Sequence, residues 1–340
     1  MYNFKKQIGF FSLIIVGGLL LNGCSRSQNS DDTGKVKVFG VYASPKEEQF
    51  AAVIDAALKT AADNGKIEYS FIERIGYDGD MERVLSEICL KEDSAIIIGD
   101  GFGNEEAVRK VAANCQKKIF IFAQDGELID PNLAVFDNTA HEIAYLAGMV
   151  AGGSTKSNII GVVGARPIAQ ANRLANAFIA GAIFNNPEIT IKTSFNDSFF
   201  DSSLSQESAT EQIASGVDVI YALCSGVIDA VKDTPVSVIG NVSIQTEKAP
   251  NSVLTSLLWD IQPTINHLID QVANGAFKVT DIDYRLSTAR SFSSLATLNP
   301  RLVSNDLALS VSDRLAAIQS RIFQVAIDDQ QPAATVRARG

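Results

Sequence analysis

"VFDNTAHEIAYLAGMVAGGSTKSNIIGVVG", residues 135–164, shows in one stretch how the chain is organised. An apolar strand end, "VF", breaks into the polar "DNTAHE". A helical pattern, "IAYLAGMVAGG", then passes through a polar turn into the β-branched run "IIGVVG". The same alternation lies on both sides. Upstream, "KVKVFGV" (35–41), "IEYSFI" (67–72), "AIIIG" (95–99) and "KIFIFA" (118–123) alternate with amphipathic segments, and "NLAVFDN" (132–138) closes the group. Downstream, "NIIGVVG" (158–164), "ITIKTSF" (189–195), "VDVIYAL" (217–223), "VSVIG" (236–240) and "SVLTSLL" (252–258) do the same. Strands that are apolar throughout and separated by helices describe parallel sheets covered on both faces.

About ten strands in two groups predict two doubly wound lobes. The groups begin alike, "VFGVYASP" (38–45) against "IIGVVGARP" (159–167), a faint internal repeat. An eight-unit barrel fits less well, because the rhythm breaks at "VFDNTAHE" and again at "SLLWDIQP" (256–263), as crossings between lobes would break it.

The N-terminus carries its own signal. Lys5 and Lys6 precede the apolar "IGFFSLIIVGGLLL" (8–21), which runs into "LNGC" (21–24). The apolar run is shorter than the ~20 residues that span a bilayer, and its flanks suit a cleaved secretory leader. Leu-x-Gly-Cys resembles the lipobox of bacterial lipoproteins, which makes Cys24 the lipidated residue and 25–34 a polar tether. A signal anchor with a chance cysteine is the alternative. The rest of the 340-residue chain suffices for two lobes of about 100–150 residues each. A formal net charge of −10 argues against nucleic acid or anionic lipid as a partner. Two histidines far apart, His141 and His267, and no C-x-x-C argue against a metal site.

In open parallel sheets, ligands sit beyond the carboxyl ends of the strands. That rule selects the loops at 42–50, 99–106, 136–142, 164–170, 196–203, 223–227, 240–245 and 257–262. "GDGFGNEE" (99–106) has G-x-G-x-G spacing, which fits neither common nucleotide loop, and Asp100, Glu105 and Glu106 make phosphate a poor guest. Phe199 and Phe200 stand together in a polar turn. Trp259, the single tryptophan, ends a strand, where hinge packing competes with ligand contact. Phe50 also belongs to a helix stripe with Val53, Ile54, Ala57 and Leu58, so core packing explains it equally well. Aromatic walls with Asp100, Asn138, Asp201 and Asn241 suit a flat, mostly uncharged heterocycle. Phe102 and Ser225, in two more of the loops, complete the candidate set. Cys224 and Ser225 lack an identifiable base, so "CSG" reads as a tight turn exposing backbone donors rather than a nucleophile.

"GDGFGNEEAVRKVA", "VFDNTAHEIAYLAGMVAGGSTKSNIIGVVG", "NPEITIKTSFNDSFFD", "QIASGVDVIYA" and "VLTSLLWDIQPT" resemble, in this order over roughly residues 35–280, the basic membrane protein (BMP) family of ABC-importer substrate-binding lipoproteins. The resemblance implies an α/β type I periplasmic-binding-protein fold: two doubly wound parallel-sheet lobes around a ligand cleft, with three crossings. It implies leader 1–23, tether 24–34, an N-terminal lobe of 35–137 plus 260–276, a C-terminal lobe of 138–259 plus 277–327, and a tail at 328–340. It implies no enzymatic activity and no cofactor. The expected partners are a small aromatic ligand, a permease with its ATPase and, through the lipid, the bacterial cell membrane, for a chain that is itself a monomer.

Characterised branches of the family bind purine nucleosides, free bases or riboflavin. Phe50 and Phe199 fall where relatives stack aromatic rings on ligand, and "GDGF" matches the family's cleft loop. Val242 replaces an aspartate and Trp259 a lysine that grip ribose in the nucleoside branch. Both departures favour a base without ribose, or a flavin-like ring, over an ordinary nucleoside. A nucleoside-processing enzyme and a surface sensor are the readings from other classes. Finally, a 2-1-3-4-5 sheet places its second and third helices side by side, bringing Cys89 and Cys115 near bonding range, with separate buried thiols as the alternative and Cys224 free in either case.

Overall fold

The computed structural model describes residues 35–77, 79–91, 96–124, 132–136, 140–199, 201–279 and 293–337. Cys24 with its leader and tether, Asn138 and Phe200 lie outside the described residues.

The first sheet is built from β1 (Val36–Val41), β2 (Ile67–Ile72), β3 (Ile96–Asp100), β4 (Ile119–Ala123) and β5 (Leu133–Phe136), in the order β2-β1-β3-β4-β5 and parallel throughout. Its side chains alternate between two covers. Val38, Ile96, Ile98 and Ile121 face the core under α1 (Gln49–Asp63), while Ile97, Phe120 and Phe122 face α2 (Asp80–Lys91) and α3 (Glu105–Asn114). Burial on both faces is why β3 and β5 are apolar without alternation. α2 and α3 pack side by side, and near their C-terminal ends Cys89 and Cys115 are joined in a disulfide with Cα atoms 6.1 Å apart. Cys224 is buried and unbridged.

After β5 the chain enters the second lobe with α4 (Ala140–Ser154). There follow β6 (Ile159–Gly164), α5 (Ala169–Asn185), β7 (Thr190–Phe195), α6 (Ser202–Ala214), β8 (Val219–Leu223), α7 (Val227–Val231), β9 (Ser237–Gly240) and β10 (Val253–Trp259). α8 (Gln262–Ala273) then returns to the first lobe, packing on α1 and β1. The second sheet is completed by β11 (Ser293–Leu295), and after α9 (Asn305–Gln319) by β12 (Thr335–Arg337). Its order is β11-β10-β9-β8-β6-β7-β12.

Two findings add to the sequence reading. β11 and β12 raise the strand number above the ten expected; both are three-residue antiparallel edges with no apolar run to announce them. The expected tail is also part of the body as far as it is described. β12 pairs with β7, and Arg173 Nε donates to Asp329 Oδ1 at 2.7 Å. Asn176 Nδ2 meanwhile donates to the Asp328 and Gln330 carbonyls at 3.0 and 2.7 Å.

α4 is buried almost all round, which is why it carries no polar stripe. It meets α5 backbone to backbone. A Cβ on Gly148 would collide with the Phe178 carbonyl, and one on Gly181 with the Tyr145 carbonyl. "YLAGMVAGG" is therefore a close-approach surface. Helix propensity alone would make Gly148→Ala stabilising by about 1 kcal/mol. The collision predicts the opposite sign, a loss of about 2 kcal/mol or more, read as a lowered Tm in thermal denaturation.

Candidate functional site

The carboxyl ends of both sheets deliver side chains to one interlobe region. The first lobe supplies Phe50 from the first turn of α1, Tyr77 from the loop after β2, Asp100 and Phe102 at the end of β3, and Gln124 just past β4. The second supplies Arg166 and Gln170 after β6, Phe199 after β7, Ser225 after β8, Asn241 after β9 and Trp259 at the end of β10.

Three of the expected aromatics meet. Phe50 packs its ring edge-on against Trp259 with centroids 4.9 Å apart, and Phe102 lies 6.5 Å from each of them. Phe199 stands apart from this trio. It stacks on Tyr77 at 4.4 Å and 28°, with the Arg166 guanidinium 5.6 Å from its ring.

Asp100 is buried beside the trio and accepts the Phe102 backbone N–H at 3.0 Å. Burial pushes its carboxyl up to about 7; the Phe102 N–H opposes the shift and the nearby Glu105 charge adds to it. Near neutral pH such a group both donates and accepts, which suits a neutral ring carrying N–H and C=O edges. Gly101 follows because a Cβ there would strike the Gln124 side-chain amide, which packs beneath the lip.

Among the buried polar atoms without a partner are those of four side chains at these strand ends: the Gln124 amide, whose oxygen is also unpaired, Gln170 Nε2, Asn241 Nδ2 and Trp259 Nε1. Asn241 is otherwise held firmly, its Oδ1 accepting from Tyr221 Oη at 3.3 Å and its N–H donating to Gln245 Oε1 at 3.3 Å. Unpaired oxygens elsewhere, on Asn132 and Asn172, belong to amides whose nitrogens are bonded. Each unpaired buried donor costs about 1–3 kcal/mol, which a bound acceptor would offset.

Other candidates have different occupations. Asp201 is exposed and caps α6, accepting from Ser203 N at 2.9 Å and Leu204 N at 3.4 Å, so its carboxylate serves the helix. Ser225 Oγ donates to Glu48 Oε2 at 2.8 Å, spanning the two lobes. "CSG" is a tight turn: Gly226 has φ 94°, and a Cβ on it would strike the Ser202 carbonyl. Burial pushes the Cys224 thiol up to about 11, away from nucleophile chemistry. Val242, in the ribose-gripping position of the resemblance, is a buried β-branched residue at φ 68°, a conformation that costs about 1–3 kcal/mol and concentrates at ligand sites.

Gln124, Gln170, Arg166 and Tyr77 were not on the candidate list from sequence. Gln170 and Arg166 stand in a loop that the strand-end rule selects, whereas Tyr77 follows a strand whose loop was passed over.

The Bmp family model, described as ABC transporter substrate-binding protein PnrA-like, matches residues 44–289. The chain belongs to this family. A purine-binding protein of Brucella abortus is 25% identical over 272 residues, covering 78% of this chain and 76% of the relative. The ABC transporter nucleoside-binding protein BmpA of Lactococcus lactis is 22% identical, covering 80% and 86%. An ABC transporter solute-binding protein structure from Aeropyrum pernix superposes with a TM-score of 0.78 at 18% identity, over 86% of this chain and 94% of that one, and so shares the fold. The protein is thus an ABC transporter substrate-binding protein of α/β solute-receptor fold, of a family that works outside the cytoplasm and whose partners are a small ligand and a permease with its ATPase.

The pH dependence of stability follows from Asp100. Between its ordinary value of 3.8 and about 7 the folded protein holds a proton that the unfolded chain releases, so stability falls as pH rises through that window. Asp100→Asn removes this slope. Thermal melts at pH 5 and pH 8 are expected to show a smaller drop for the variant than for the wild type.

Proposed function

We propose that this protein captures an aromatic heterocycle, a purine base or nucleoside, in its interlobe cleft and delivers it to an ABC permease without chemical change. The observation that carries this reading is the cleft's composition: the Phe50–Phe102–Trp259 trio beside a raised Asp100 carboxyl and four buried side chains with unpaired polar atoms. Aromatic faces gain by desolvating a flat ring, and the waiting polar groups select one with heteroatom edges. The names of the Brucella and Lactococcus relatives support a purine or nucleoside. Leu-x-Gly-Cys at 21–24 supports anchoring at the cell membrane through a lipid on Cys24. A carrier rather than an enzyme fits the buried, raised Cys224 thiol, and turnover of nucleosides on incubation would overturn that part.

A second reading, riboflavin, is favoured by one observation. Val242 and Trp259 stand where the nucleoside branch has an aspartate and a lysine on ribose, and Trp259 adds ring area instead. One experiment separates the two. Acid or heat extraction of the purified protein, followed by an absorption spectrum, gives an ultraviolet band alone for a base or nucleoside and a visible flavin band for riboflavin. An extract with neither, together with no heat of binding for adenine, guanosine or riboflavin, would overturn both. Whichever ligand binds, Trp259→Ala is expected to weaken it about 10- to 100-fold in calorimetry, the range for losing one base-stacking side chain.

A further inference from the structure

Direct side-chain contacts join the lobes beyond the edge strand β2 and beyond β7, the strand next to the β12 edge, as well as in the cleft. Tyr77, in the loop after β2, stacks face to face on Phe199, in the loop after β7, at 4.4 Å and 28°. The topology gives this contact a special place. Three crossings join the lobes, from β5 into α4, from β10 into α8, which packs on α1 and β1, and from α8 back to β11. β2 is the edge strand farthest from β5, and β7 lies toward the opposite side of its sheet from β10. The stack therefore adds a direct side-chain tie between the lobes from loops that are distant, in strand order, from β5 and β10, the strands by which the chain leaves each sheet.

The surroundings are shaped for it. Gly103, the third glycine of "GDGFG", has φ 79°, and a Cβ there would come within 3.1–3.2 Å of the Tyr77 ring. Arg166 lies against Phe199, and Ser225 Oγ donates across the lobes to Glu48 Oε2 at 2.8 Å. Both rings of the stack are half-buried although each stands in a loop.

We infer that Tyr77 is a positioning residue: through its stack on Phe199 it latches the lobes shut without ligand and fixes the Phe199 ring where a heterocycle would bind. The purpose of the latch rests on the receptor reading; its existence does not. A protein that is partly closed before binding spends less of the ligand's affinity on closure, and a latch at the mouth slows escape.

The test uses the ligand-free protein. Spin labels at Glu106→Cys on α3 and Glu207→Cys on α6, both exposed, report the interlobe distance by electron–electron double resonance. The wild type is expected to give mainly the short distance. Tyr77→Ala, and Tyr77→Leu, which keeps apolar bulk without a ring, are expected to raise the open-to-closed ratio about two- to tenfold, the scale of one aromatic pair. Phe199→Ala should open the lobes equally, and adding it to Tyr77→Ala should change nothing more. Unchanged distances in both Tyr77 variants, or fully additive effects, would overturn the latch. Adenine, guanosine and riboflavin binding to the wild type, measured separately by calorimetry, tests the receptor reading, and its failure leaves the distance result standing.

Discussion

The backbone contact between α4 and α5 fixes more of this molecule than any other single approach. α4 is the first element after the chain leaves the first lobe, and besides α5 it packs on β10 and β11, which flank the return crossing. Gly148 and Gly181 allow carbonyls of the opposing helix where any side chain would intrude. The seat of α4 thereby helps set where the three crossings run, at its own entry and at β10 and β11, and hence how the carboxyl ends of the two sheets come to face one gap. A helix buried on all sides offers no solvent face to slide along, so this geometry is held by close packing and not by ion pairs.

The cleft departs from ordinary interiors in a way that favours a guest. Buried amide and indole donors normally find partners. Here Gln124, Asn241 and Trp259 leave donors unpaired, Asp100 is buried with the Glu105 charge nearby, and Val242 holds an unfavourable φ. These costs are borne by a scaffold whose sheets are fully packed on both faces, so the local loss is tolerated. Because the groups come from strands of different lobes, a molecule satisfying several of them at once also ties the lobes together.

How much of this was legible in sequence depended on whether the signal was local. Parallel strands such as "IIIG" and "VIYAL" announce themselves by apolar continuity, and the strand-end rule then found most cleft loops without side-chain knowledge. Phe50 resists the choice between core and ligand because it sits on the α1 stripe and also reaches across to Trp259 of the other lobe. Asp201 misled because an aspartate before a helix looks the same whether it caps or binds. Gln124 and Tyr77 were missed because their roles come from long-range placement, under the glycine lip and across the lobes. The short edges β11 and β12 carry no pattern of their own, and their pairing is supplied by strands far away in the chain.

The return of α8 to the first lobe bears on how the protein is made. Lys66 bonds Asp270 at 3.2 Å across 204 residues of chain, and Gln262 Nε2 bonds the Ala57 carbonyl at 3.2 Å. The face of β1 and α1 that α8 covers cannot be closed until the second lobe has been synthesised as far as β10 and α8 behind it. Such distant pairing raises contact order and slows folding, leaving an apolar surface uncovered in the meantime. The Cys89–Cys115 bridge has no such wait, since its partners are only 26 residues apart. In a chain that emerges N-terminus first into an oxidising space, that bond can tie α2 to α3 early and shorten the list of conformations still open while the missing helix is on its way.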